Sequence, residues 1–118
     1  MSISNVTAYI VAVTTVSEMN AHEHWRVRQK RAKAQRLAAR LATASARNLA
    51  ALRLPLRITL TRCSPRFLDS DNLVASQKHV RDGITDALGL DDGDPRLNWL
   101  YEQRPGKAAR TYVEIRGA

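Results

Sequence analysis

From Glu23 to Leu52 the chain runs thirty residues without a glycine or a proline. Alanine and arginine abound there, and Val27, Ala34, Leu37, Leu41, Ala44 and Leu52 recur at helical spacings. Such a segment reads as a long amphipathic helix. Arg26, Lys33, Arg40 and Arg47 fall seven apart on a second stripe of the same helix, with Lys30 between them. No acid occurs from His24 to Leu68, where twelve basic residues stand. A helix that needed only solubility would mix signs, so this one is expected to meet a polyanion.

The flanking segments read as strands and a second helix. Thr7 to Val16 is rich in β-branched residues and suits a first strand. Pro55 stops the long helix, after which Leu56, Ile58 and Leu60 alternate with Arg57, Thr59 and Thr61 as in a half-buried strand. Asp71 to Leu88 predicts one helix, with Leu73, Gln77, Val80, Ile84, Ala87 and Leu88 on one side and Asp71, Ala75, Lys78 and Asp82 on the other. Gly89 is placed to cap it. Leu97 to Arg104 and a strand through Thr111, Val113 and Ile115 are expected to pair as a hairpin across Pro105-Gly106. The expectation is an α+β fold, β-α-β-α-β-β, with a mixed sheet packed by two helices in a single domain over residues 1–118. At 118 residues there is room for one core.

Charge narrows the function. Seven of the eleven carboxylates, Asp69, Asp71, Asp82, Asp86, Asp91, Asp92 and Asp94, lie in a stretch whose only cations are Lys78 and Arg81. That stretch carries −5 within a chain of +8, leaving +13 elsewhere. The basic remainder points to nucleic acid or an anionic membrane surface, and insertion into a membrane is not expected, since the most apolar run, Val6 to Val16, is too short to span a bilayer. Crowded carboxylates repel one another and raise each other's pKa values unless a cation neutralises them. Oxygen ligands from aspartate suit Mg²⁺ or Mn²⁺, which can polarise a phosphate and activate water. The expected reaction is phosphodiester hydrolysis. An EF-hand is excluded because Val74 stands where that loop requires glycine.

Leu68-Asp69-Ser70-Asp71-Asn72-Leu73, then Gln77-Lys78-His79-Val80-Arg81-Asp82-Gly83-Ile84, then Asp91-Asp92, resembles the D-x-D-N-x-x-K-x-x-x-D-x-L…D-D signature of the RusA family of Holliday junction resolvases. The resemblance covers about residues 50–116. It implies Asp69, Asp71 and Asp92 as ligands of catalytic Mg²⁺ and Lys78 as the assisting lysine, with Asn72, Asp82 and Asp91 in support. The family lysine follows the second aspartate by four residues, where this chain has Ala75. The resemblance also implies a homodimer, which suits the near two-fold symmetry of a four-way junction. Arg26, Lys30, Lys33, Arg40, Arg47 and Arg66 would then contact the phosphates of branched double-stranded DNA.

Two other functions fit the same residues: a non-catalytic DNA-binding or recombination accessory protein, and a broader nuclease acting on flaps, forks or RNA. A lone Cys63 and no zinc-ligand spacing indicate a reducing compartment, expected to be the cytoplasm of a bacterial or phage-infected cell. His22 and His24 read as surface residues, and Trp25 and Trp99 as core or interface.

Overall fold

The computed structural model describes residues 5–16 and 24–118. Within them the chain forms a small α+β domain. Its elements are β1 (Val6–Val11), α1 (Trp25–Ala44), a 3₁₀ turn (Leu49–Ala51), β2 (Leu56–Ser64), α2 (Ser70–Ser76), α3 (Lys78–Leu88), β3 (Leu97–Pro105) and β4 (Arg110–Arg116). The four strands make one mixed sheet in the order β1-β4-β2-β3. Among the described residues no helix is long and apolar enough to cross a membrane.

β2 occupies an interior place because its inward row demands it. Leu56, Ile58 and Leu60 are buried, the last two completely, and they align with Ile115 and Val113 of antiparallel β4 and with Trp99 and Tyr101 of parallel β3. The parallel pair needs a crossover, which α2 and α3 supply. Val80 and Ile84 of α3 close the core from one side of the sheet. β1 then pairs antiparallel with the free edge of β4, from Val6 opposite Arg116 to Val11 opposite Thr111.

The expected hairpin between β3 and β4 does not form, because β2 lies between them. Val113 and Ile115 lie opposite the fully buried Leu60 and Ile58, whereas the inward row of β3 becomes more polar along its length through Trp99, Tyr101 and Gln103. The segment after Pro105 instead crosses the end of β2. There the Gly106 N–H donates to the Ser64 carbonyl at 3.3 Å, and a Cβ on Gly106 would stand 3.3 Å from that of Cys63.

The helices also differ from expectation. The first strand ends at Val11, short of Val16. The long helix stops at Ala44, with Ser45 as its cap and Asn48 in the left-handed region at φ 62° before the 3₁₀ turn. Its apolar stripe is not its buried face: Val27, Leu37 and Leu41 are each about half exposed, whereas Gln35, Ala39 and Thr43 are buried. Close approach to α3 explains the choice, since Gly83 lies directly beneath the Arg36 carbonyl and Ala39. No leucine fits at that crossing. Arg36 secures it from outside by a two-pronged pair with Asp86, at 2.6 and 2.8 Å. Tyr9 Oη meets Thr43 Oγ1 at 2.6 Å and ties β1 to α1; burial pushes its phenol up to about 12.

The expected helix from Asp71 to Leu88 is two helices, so the sheet is packed by three. The break falls at Gln77, whose buried side-chain amide donates to Thr111 Oγ1 at 3.2 Å. Its backbone N–H takes the Val74 carbonyl, a tight i to i−3 bond, while the Ser76 hydroxyl donates to the Leu73 carbonyl at 2.7 Å. The predicted apolar side survives the break, with Leu73, Gln77, Val80 and Ile84 all buried. The predicted polar side does not survive as one helical face.

Candidate functional site

Asp69 is the N-cap of α2, so the backbone already needs a carboxylate there. Its Oδ1 accepts the Asn72 N–H at 2.9 Å, and the Asn72 side-chain amide donates to Oδ1 and Oδ2 at 2.9 and 3.0 Å. These bonds, the backbone one foremost, hold the Asp69 carboxyl below the usual carboxylate range. Asp71 lies in the first turn of α2, exposed, where the helix dipole also favours an anion.

Two side chains hold the loop that delivers this turn. Gln103 of β3 clamps Leu68 with both ends of its amide, accepting the Leu68 N–H and donating to the Leu68 carbonyl, each at 2.8 Å. Arg62, buried at the end of β2, donates to the Arg66 carbonyl at 2.8 Å, to Thr15 Oγ1 at 3.0 Å and to the Thr15 carbonyl at 3.4 Å. Burial lowers its pKa, and no carboxylate among the described residues pairs with it.

The second acidic segment hangs from the same strand. Arg81 of α3 donates to Tyr101 Oη at 3.0 Å and to the Asp92 carbonyl at 2.7 Å, with its guanidinium 4.4 Å above the Trp99 ring. Trp99, Tyr101 and Gln103 form one row on the helix-facing side of β3. Tyr101 and Gln103 are about 7 Å apart along it. The Asp69–Asn72 turn and the Asp92 turn are therefore both anchored to the β3 end of the sheet, at adjacent positions of one row.

The other predicted residues are distributed as follows. Lys78 opens α3 and is exposed, on a different helix from Asp71. Asp82 is half-buried on the flank of α3 that faces α1, where its charge supports that of Arg36. Asp91 is exposed, and its carbonyl accepts the Asp94 N–H at 3.1 Å. Asp94 is committed to Arg96, taking its backbone N–H at 2.9 Å and its side chain at 3.0 and 2.8 Å. Arg26, Lys30, Lys33, Arg40 and Arg47 are exposed along α1 and its C-terminal continuation, and Arg66 is exposed in the loop before Asp69. Trp25 is more than half exposed and Trp99 is half-buried, while His24 caps α1 by accepting the Arg26 N–H at 3.1 Å. His22 lies outside the described residues.

The bonds from Arg96 hold the Asp94 carboxyl down to about 2, against an ordinary 3.8. Because the folded value is the lower one, Asp94 contributes stability in full above about pH 4, and the contribution drains away as pH falls towards 2. Urea unfolding of wild type and Asp94→Asn across pH 2–5 checks this, with the difference between them shrinking at the acid end.

Among the described residues no three of His, Cys, Asp and Glu stand together as a ready metal cage. The donor chemistry nonetheless fits the Mg²⁺ that the resemblance implies, since that ion is commonly held by one or two carboxylates with water and substrate phosphate. Asp69, Asp71 and Asp92 are the residues to which the resemblance would assign it. Sequence reasoning missed Arg62, Arg81, Tyr101 and Gln103, which position those acids. A polar end to the inward row of β3 was the available signal.

No family model matches the chain. It is 39% identical over 106 aligned residues to an uncharacterized protein of Xylella fastidiosa, a match that covers 83% of this chain and 67% of that protein. The chain therefore belongs to the same family as that Xylella fastidiosa protein.

Proposed function

We propose that this protein is a RusA-like, Mg²⁺-dependent endonuclease, also able to use Mn²⁺, that resolves four-way DNA junctions by paired phosphodiester hydrolysis as a homodimer. The observation that carries the reading is the anchoring of both acidic turns, one through Gln103 and one through Arg81, to one strand row. These turns contain the residues of the resolvase-like signature.

In this reading Asn72 and the α2 backbone keep Asp69 ionised and fixed in direction, and Asp71 extends the anionic surface by half a helical turn. Asp92, its carbonyl held by Arg81, supplies the third carboxylate of the signature. When bound there, a divalent cation would polarise the scissile phosphate and activate water. Lys78, one residue beyond the helix break, supplies an exposed ammonium near the start of α3 to offset charge on phosphate oxygens. The basic residues of α1 hold the junction arms through phosphates, which gives affinity and salt dependence without base choice. Two symmetry-related copies place one nick on each of two opposed strands.

A second reading, a non-catalytic DNA-binding accessory protein with the same fold, draws support from the helix break that separates Lys78 from Asp71. Cleavage of a synthetic four-way junction with Mg²⁺, Mn²⁺ or EDTA, with nicks located on all four strands, separates the two. Paired symmetric nicks that require metal support resolution. Tight binding without a nick supports the accessory role, and equal cutting of flaps, forks or RNA indicates a broader nuclease.

A further inference from the structure

Three large apolar side chains of α1 lie outside the core. Val27, Leu37 and Leu41 are 50%, 51% and 55% exposed, and Ala34 and Ala44 are exposed on the same stripe. With Lys30 these residues fall three and four apart, at the first and fourth positions of successive heptads. Lys30, Leu37 and Leu41 lie about 180° round the helix from the buried Gln35, Ala39 and Thr43, so the stripe points directly away from the core. It does not end with the helix. Ala44 also lines an open cavity of about 650 Å³ where α1, the 3₁₀ turn and the end of α3 meet, walled by Leu49, Leu52, Leu54 and Leu88 and by no charged residue.

The borders of the stripe are cationic. α1 carries seven basic residues and no acid. Arg26, Lys33 and Arg40 run exposed along one flank, and Lys30 interrupts the apolar row itself. A lysine within an apolar seam calls for an acid across from it.

That charge selects the occupant. A second copy of α1 would set like charge on like, Lys30 on Lys30 in a parallel pair and Lys33 on Arg40 in an antiparallel one. Phosphate suits Arg26, Lys33 and Arg40, but a DNA backbone offers nothing apolar to cover Leu37 and Leu41. An anionic bilayer takes up basic helices through a broad apolar face anchored by aromatic rings, whereas this stripe is one seam wide and has no aromatic member. A helix with an apolar row and acidic flanks matches both features at once.

We infer that the outward stripe of α1 docks an acidic amphipathic helix of a partner protein. Its apolar row covers Val27, Ala34, Leu37 and Leu41, its carboxylates meet Lys30, Lys33 and Arg40, and an apolar side chain at its end enters the cavity beyond Ala44. The covered leucines supply affinity and the charges supply partner choice. Neither acidic turn contributes to this surface, so the docking stands or falls independently of the nuclease reading. The homodimer of that reading uses another face.

The probe is a labelled synthetic peptide of three heptads, with leucine at the first and fourth positions and glutamate flanking them, beside a scrambled peptide of the same composition. By fluorescence anisotropy the full chain is expected to bind the first saturably and the second about tenfold or more weakly. Leu37→Gln and Leu41→Gln keep side-chain length and helix propensity, and each is expected to weaken peptide binding about tenfold, since each removes one covered leucine. Melting temperature and affinity for a four-way junction stay at the wild-type values, because both side chains face outward. No saturable binding by wild type, equal binding of the two peptides, or unchanged binding in both leucine variants overturns the proposal. So does a matching loss of affinity, in the same variants, for junction DNA or for phosphatidylglycerol vesicles, which would give the stripe to DNA or to lipid. A wild-type dimer that either substitution turns into a monomer in sedimentation would give it to a second copy and overturns the proposal as well.

Discussion

Asp71→Asn is expected to lower the rate of junction cleavage about a thousandfold, equivalent to about 4 kcal/mol in the barrier, with binding of the same junction in EDTA unchanged or tighter. The substitution keeps the size of the side chain, removes its charge and turns one acceptor oxygen into an amide donor. Asp71 is exposed and no side chain among the described residues bonds its carboxylate, so the fold has little stake in it. Losing one negative charge near phosphate can only help an anionic ligand approach. The measurement is single-turnover cleavage beside a gel-shift titration. Retained cleavage removes Asp71 from the site, and weakened binding with an unchanged melting temperature would mean that Asp71 meets DNA by direct hydrogen bonding.

Gly83→Ala carries the largest expected effect on stability. Alanine is ordinarily the better helix former by up to about 1 kcal/mol, so propensity alone would favour the change. The crossing of α1 and α3 reverses it. A Cβ at residue 83 would stand 2.2 Å from the Arg36 carbonyl oxygen, 2.7 Å from the Ala39 Cβ and 2.9 Å from the Arg40 nitrogen. Two of the three obstacles are backbone, which cannot rotate away. The helices must separate, loosening the buried row of Gln35, Ala39 and Thr43 and stretching the Arg36–Asp86 pair. Overpacking of this kind costs about 3 kcal/mol, which for a chain of this size lowers the melting temperature by about 10 °C. Thermal unfolding by circular dichroism checks it, and a melting point equal to wild type would mean that the two helices do not cross at Gly83.

Much of the fold is legible in local pattern. The alternation of Leu56, Ile58 and Leu60 locates β2, and the buried set Leu73, Gln77, Val80 and Ile84 follows from a 3.6-residue period. Long-range pairing is not legible in the same way. Nothing local in Thr111-Tyr112-Val113 distinguishes a hairpin with β3 from insertion beside β2; only the competition for Ile58 and Leu60 decides it. The breadth of α1's apolar stripe misleads for a related reason, since the face that packs is chosen by how closely helices can approach, and small residues win there. Gln77 reads as part of an apolar side because it is buried, yet its amide finds Thr111 and ends a helix. In the site, the aspartates stand out as charge. The residues that hold them, Arg81 among them, are visible only once β3 has a place.

The strand order carries a consequence for how this chain is made. β4, residues 110–116, follows the other three described strands in sequence and lies between β1 and β2, which have no direct pairing with each other. While those residues are still inside the ribosome, β1 has no partner among the described strands, and the buried row of β2 is covered on one edge at most. The sheet closes late, through contacts of high sequence separation, which makes folding comparatively slow. Until then the nascent polypeptide exposes Ile58 and Leu60 along an open edge, the condition under which chains aggregate or recruit chaperones.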